Sequence, residues 1–154
     1  MTSKIEAKLA ALGLSLPEVP APIAAYVPAT ITGNLVFTSG QLPTVDGTLL
    51  ATGRVGVEVD VDMAKACAQR SGLNALAAVK SVIGDLDRVT RIVKVTGFIA
   101  CPPEFSTHSA VVNGASEFFG ELFGDAGKHA RSSVGMSALP LNAPVEIEII
   151  VEFK

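Results

Sequence analysis

Apolar and polar residues alternate from Val145 to Phe153. Val145, Ile147, Ile149, Val151 and Phe153 fall on one face, and Glu146, Glu148, Ile150 and Glu152 on the other. A period of two is that of a half-buried β-strand. A different period runs through Phe105, His108, Val112, Ala115, Phe119 and Leu122, which recur at three- and four-residue steps. It predicts a helix that Pro102-Pro103-Glu104 opens and that ends near Phe123, where Gly124-Asp125-Ala126-Gly127 breaks it. A longer helix, capped by Asp60 or Asp62, reaches about Ile83, with Met63, Ala66, Cys67, Leu73, Leu76, Ala77 and Val79 on its apolar side and Gly84 at its end.

The remaining elements are shorter. Ser3 to Leu12 reads as a helix with a Ser3-x-x-Glu6 capping box and a terminating Gly13. Pro17, Pro20 and Pro22 then demand an extended connector, because proline is excluded from helix interiors. Tyr26 to Ile31 and Leu35 to Ser39 flank Thr32-Gly33-Asn34 as a β-hairpin. A loop with Asp46-Gly47 and Gly53 runs to about Glu58. Arg91 to Ala100 and Ala130 to Ala138 are two further strands, and Leu139 to Pro144 is a turn. The order β-β-(β)-α-β-α-β-β gives an α+β fold of two layers, a mixed sheet with two helices on one face. Residues 1–154 read as one domain, with the helix and Pro-rich connector forming residues 1–23. The other sheet face must be polar or covered by a partner, and Ile150 and Phe98 suggest partial cover.

Composition adds to that picture. The 154 residues are 49% hydrophobic and only 18% charged, with no Trp and one Tyr. A chain of this length buries roughly 68–70% of its unfolded surface, so it folds without staples. The apolar excess fits either an Ala/Val-rich core or surface covered by other subunits. A net charge of −3 and the absence of a basic stripe leave little for nucleic acid, whose binding rests on neutralised phosphates. No run of about 18 apolar residues predicts a membrane span, and the N-terminus lacks the apolar core of a secretory signal. Two cysteines, Cys67 and Cys101, make neither a disulfide framework nor a zinc site, which points to the cytoplasm. Cys67 falls on a helix stripe, and Cys101 ends a strand before two prolines.

The chain carries no phosphate loop, no Gly-x-Ser-x-Gly and no His-Glu-x-x-His. Its two histidines, His108 and His129, are too few for a metal centre. Arg131 stands out, a long planar cation among Ala130, Ser132, Ser133, Val134 and Gly135. A guanidinium grips a carboxylate through two parallel hydrogen bonds. The segment alone leaves open whether Arg131 does so or is an ordinary salt-bridged arginine. Glu146 by itself reads as a solvated strand carboxylate.

Several pieces in order carry a resemblance. They are Tyr26-Val27, Gly33-Asn34-Leu35-Val36-Phe37-Thr38-Ser39-Gly40-Gln41-Leu42-Pro43, Asn74-Ala75-Leu76, Asn113, Phe118-Phe119, Ala130-Arg131-Ser132, Leu139-Pro140 and Val145-Glu146-Ile147-Glu148. Together, over about Ala24 to Phe153, the chain resembles the RidA/YjgF family of reactive intermediate deaminases, also labelled L-PSP endoribonuclease-like. The resemblance implies a chorismate-mutase-like fold and a homotrimer whose sites lie between subunits. It implies hydrolysis of small 2-imino or 2-enamino acids to 2-oxo acids and ammonia, with no cofactor. In that comparison Arg131 matches the residue that holds the substrate carboxylate, and Glu146 the one that positions the attacking water. Tyr26, Ser39, Gly40 and Asn113 match pocket residues. Ser133 stands where many members carry a reactive cysteine, and Gly135 where many carry an acidic residue. The Gly124–His129 loop is one residue longer than usual, and the His129-Ala130-Arg131 segment could reshape the pocket mouth. A non-catalytic binder or regulator using the same arginine, and a ribonuclease, are the alternative functions.

Overall fold

The computed structural model describes residues 3–19 and 25–154, so Pro20 and Pro22 of the expected connector lie outside the described residues. Seven strands and three α-helices are described: α1 Lys4–Ala11, β1 Ala29–Thr32, β2 Leu35–Thr38, β3 Thr44–Val45, β4 Thr48–Leu49, α2 Val61–Ile83, β5 Val89–Ala100, α3 His108–Phe123, β6 Ala130–Met136 and β7 Val145–Phe153. The main sheet has the order β1-β2-β7-β5-β6. All its neighbours are antiparallel except β5 and β6, which α3 joins as a parallel crossover. The strands β3 and β4 form a separate hairpin about Asp46-Gly47, whose positive φ values of 50° and 80° suit a two-residue turn.

The alternation of β7 is realised: Val145, Ile147, Ile149 and Val151 are buried, and Phe153 is partly buried. They meet Val36 of β2 and Ile92, Val95 and Ile99 of β5 on the face that α2 and α3 cover. Small residues set how closely α3 approaches. A Cβ at Gly97 would meet Val112 at 2.3 Å, and one at Gly114 would meet the Lys65 carbonyl at 2.1 Å. Helix α2 is buried continuously from Ser71 to Val79, because the sheet lies on one side and α3 on another. That packing corrects the expected stripe: Met63 and Ala66 are exposed, and Ala64 and Ala68 turn inward with Cys67.

Element ends differ where proline or capping intervenes. Helix α3 begins at His108, six residues after Pro102; Pro102 to Phe105 forms a turn closed by the Phe105 N–H on the Pro102 carbonyl. Strand β1 begins at Ala29, leaving Tyr26 outside, because Pro28 has no N–H for a ladder. Asp60, not Asp62, caps α2, its Oδ1 accepting from Met63 N at 2.8 Å. Ser3 caps α1 and also donates to Asp87, whose carboxylate accepts the N–H groups of Lys4 and Ile5 at 2.8 and 2.9 Å. Those backbone bonds hold the Asp87 carboxyl below its ordinary range. They fasten the start of α1 to the turn before β5. Among the described residues no helix is long and apolar enough to cross a membrane.

Candidate functional site

Arg131 is the second residue of β6, paired in register with Val95 of β5. Partners in a parallel ladder share a face, so Arg131 projects to the helix-covered side. There Nη1 donates to Asn113 Oδ1 at 2.7 Å and to Ser116 Oγ at 3.1 Å. Asn113 and Ser116 lie three residues apart on α3 and therefore share one helix face. An arginine has five N–H groups. Nη1 spends both of its own on α3. Among the described residues the Nε–Nη2 edge has no partner, and it presents two parallel donors spaced for a carboxylate. Ser116 is in turn bonded to His129 Nε2 at 2.8 Å, and His129 Nδ1 lies 2.6 Å from the Gly127 carbonyl. Asn113 belonged to the expected set, whereas Ser116 and the part played by His129 did not. The three-residue spacing from Asn113 was the signal available for Ser116.

Glu146 belongs to a second cluster. It pairs with Phe98, three residues beyond Val95, and so projects from the opposite face of the sheet to Arg131. Above it runs the segment that leaves β2. Gln41 and Ile147 exchange backbone hydrogen bonds of 2.8 and 3.0 Å, which lays Gly40 directly on the Glu146 side chain. Ser39 Oγ donates to the Val27 carbonyl at 2.6 Å and its N–H to that of Pro28, so Tyr26 is tethered next to this loop. Tyr26 itself is 60% exposed. Burial first, then the nearby Glu148 charge, pushes the Glu146 carboxyl above its ordinary range.

The seven expected residues thus divide in two. Asn113, Arg131 and Ser133 lie on the helix side, and Tyr26, Ser39, Gly40 and Glu146 gather at the open side. One chain does not bring Arg131 and Glu146 to a common point. Gly40 offers a direct test of the second cluster, because a Cβ there would stand 2.0 Å from Glu146 Oε1. Gly40→Ala should displace the carboxylate while the fold survives, which a crystal structure of the variant beside its thermal denaturation would check.

Among the described residues Ser133 Oγ is buried without a hydrogen-bond partner. Gly135, two residues on, makes room for a thiol–imidazole contact. A Cβ there would lie 2.8 Å from His108 Nε2 and 3.0 Å from Cys101 Sγ, which are 3.5 Å apart. Cys101, His108 and Gly135 border a cavity of about 460 Å³ with Arg54, Phe105 and Met136. Burial keeps the Cys101 thiol above its ordinary pKa and raises Cys67 to about 11, so both rest protonated.

Comparison with known proteins agrees with this architecture. The family described as "YjgF/chorismate mutase-like, putative endoribonuclease" matches residues 6–153. The chain is similar to Protein TCP17 of Trypanosoma cruzi, 38% identical over 98% of this chain and 95% of that one. It is also similar to a 2-iminobutanoate/2-iminopropanoate deaminase of Dermatophagoides farinae, 34% identical over 90% of this chain and 93% of the relative. A crystal structure of Agrobacterium tumefaciens Atu1372, a protein of unknown function, superposes with a TM-score of 0.92 at 46% identity, covering 98% of this chain and 93% of the other.

Proposed function

This chain belongs to the YjgF/chorismate mutase-like family, and from that premise we propose that it hydrolyses small 2-enamino and 2-imino acids to 2-oxo acids and ammonia. Relatives that act on 2-iminobutanoate and 2-iminopropanoate support the reaction class. The observation that carries the reading here is the Arg131 guanidinium. Its Nη1 is committed to Asn113 and Ser116, and its Nε–Nη2 edge is left for a carboxylate.

The chemistry asks little more of the protein. An imine carbon is already electrophilic, and more so when its nitrogen is protonated. Arg131 would fix the substrate plane and neutralise the carboxylate whose charge opposes attack. Glu146 would orient a water, take its proton as the oxygen adds to C2, and return it to the departing nitrogen. Because Arg131 and Glu146 project from opposite faces of one sheet, the working site would join the Arg131 cluster of one subunit to the Glu146 cluster of another. A homotrimer fits this arrangement. It would also cover the open face, where Phe37, Val134 and Met136 are exposed.

The test begins with 2-aminoacrylate released by a serine dehydratase. Native protein should shorten the lifetime of the imine and speed pyruvate formation; an unchanged rate would overturn the proposal. One observation favours a second reading, a non-catalytic binder of small 2-oxo acids. Within one chain Glu146 projects from the sheet face opposite to Arg131, so the clamp can hold a carboxylate with no proton acceptor of its own subunit beside it. Stabilisation by 2-oxo acids without turnover would select that reading, since a ligand at 100 times its Kd adds about 2.7 kcal/mol. The net charge of −3 argues against a ribonuclease.

A further inference from the structure

With the His129 ring neutral, the hydrogen bonds behind Arg131 run in one consistent direction. The Gly127 carbonyl can only accept, so His129 Nδ1 carries the proton it donates across 2.6 Å. In the neutral ring Nε2 is then an acceptor. The Ser116 hydroxyl donates to it across 2.8 Å. That donation turns the Ser116 lone pairs toward Arg131, whose Nη1 donates to them across 3.1 Å. The 3₁₀ turn Gly124–Gly127 sets the position of the carbonyl at which the chain of bonds ends. The His129 ring also stands edge-on to Phe119, with centroids 6.2 Å apart, so its plane is held by packing as well.

We propose that Ser116 and His129 are positioning residues that lock the Arg131 guanidinium in the plane in which its Nε–Nη2 edge meets a substrate carboxylate. Neither touches the substrate; both act through Arg131. Asn113 by itself gives Nη1 one acceptor, about which the guanidinium can still swing. Ser116 is the second acceptor that removes the swing, and His129 keeps its hydroxyl turned the right way. The Gly124–Gly127 turn before β6 brings the imidazole within reach of α3. The selected ligands are small acids with a planar 2-oxo or 2-imino group, because a carboxylate gripped along a fixed edge sets the orientation of C2 as well.

This inference rests on the reading of Arg131 as the carboxylate clamp, and the experiment separates the two. The dissociation constant for 2-oxobutanoate, and KM and kcat for 2-aminoacrylate-derived imine, would be measured for Ser116→Ala, Ser116→Thr, His129→Phe and His129→Gln. Each would be made in the native chain and again in Arg131→Ala. Phe preserves the contact with Phe119 and removes both ring nitrogens. Gln keeps one donor and one acceptor, and Thr keeps the hydroxyl. Ser116→Ala and His129→Phe should raise Kd and KM about tenfold, the loss of one hydrogen bond's worth of order, with kcat within about twofold. Ser116→Thr and His129→Gln should stay near native, and in the Arg131→Ala background all four should be silent. Native-like binding by His129→Phe, or an equal loss in the Arg131→Ala background, overturns the positioning role and leaves the clamp standing. Native-like binding by Arg131→Ala itself overturns both.

Discussion

Arg131→Ala should lower kcat/KM for the imino acid by about 30- to 1000-fold, or ~2–4 kcal/mol, and weaken 2-oxo acid binding in parallel. The loss is large because two charge-assisted hydrogen bonds disappear together with the charge that offsets the substrate carboxylate. Arg131→Lys should recover only part of it. An ammonium keeps the charge but has no planar fork, and it cannot serve Asn113 and Ser116 while offering a second pair of parallel donors. Stability should change far less than activity, because the side chain is only partly buried and water can replace its bonds to α3. Kinetics on the dehydratase-coupled assay, with urea denaturation of the same samples, would separate the two effects. Full activity in Arg131→Ala would remove the basis of the proposed reaction.

The elements were legible in the sequence because periodicity reports burial directly. The period of two in Val145 to Phe153 and the period of 3.6 across α3 both survive in the structure. Their ends were less legible. Pro102-Pro103 has the look of a helix start, yet the chain makes a turn first, and the helix opens at His108 with no side-chain cap on Thr107. Pro28 marks where β1 begins, and that leaves Tyr26 in the approach to the strand. Arg131 was legible as a candidate by residue type and by family pattern, and Glu146 by family pattern alone. Their placement on opposite faces was not. Strand parity is known only once register is known, and the parallel pairing of Val95 with Arg131 depends on a crossover that no local pattern encodes. The link from His129 to Ser116 was hidden for the same reason. It spans two elements whose approach is set by the seating of α3 against small residues such as Gly97 and Gly114.

Glu146→Gln should lower turnover by about 100-fold or more, and at neutral pH it should raise stability. The first effect follows from the proposed role, because an amide accepts no proton from the attacking water. The second follows from the environment. Burial, and then the neighbouring Glu148 charge, raise the folded-state pKa of Glu146 above that of the unfolded chain. Between those two values the folded state binds more protons than the unfolded one. Stability therefore falls as pH rises through that window, and the cost is fully present above it. Gln cannot ionise and escapes the cost, so the gain should be present at neutral pH and should vanish below the ordinary carboxylate range. The same ionisation shapes the rate. Native activity should rise with pH as Glu146 loses its proton, and that acid limb should be missing from the residual activity of Glu146→Gln. Denaturant midpoints at acid and neutral pH, read with the pH–rate profile, test both halves together. A variant less stable than native at neutral pH would mean that a cation brought by a neighbouring subunit outweighs burial at this carboxyl. An unchanged acid limb would assign the proton acceptor to another group.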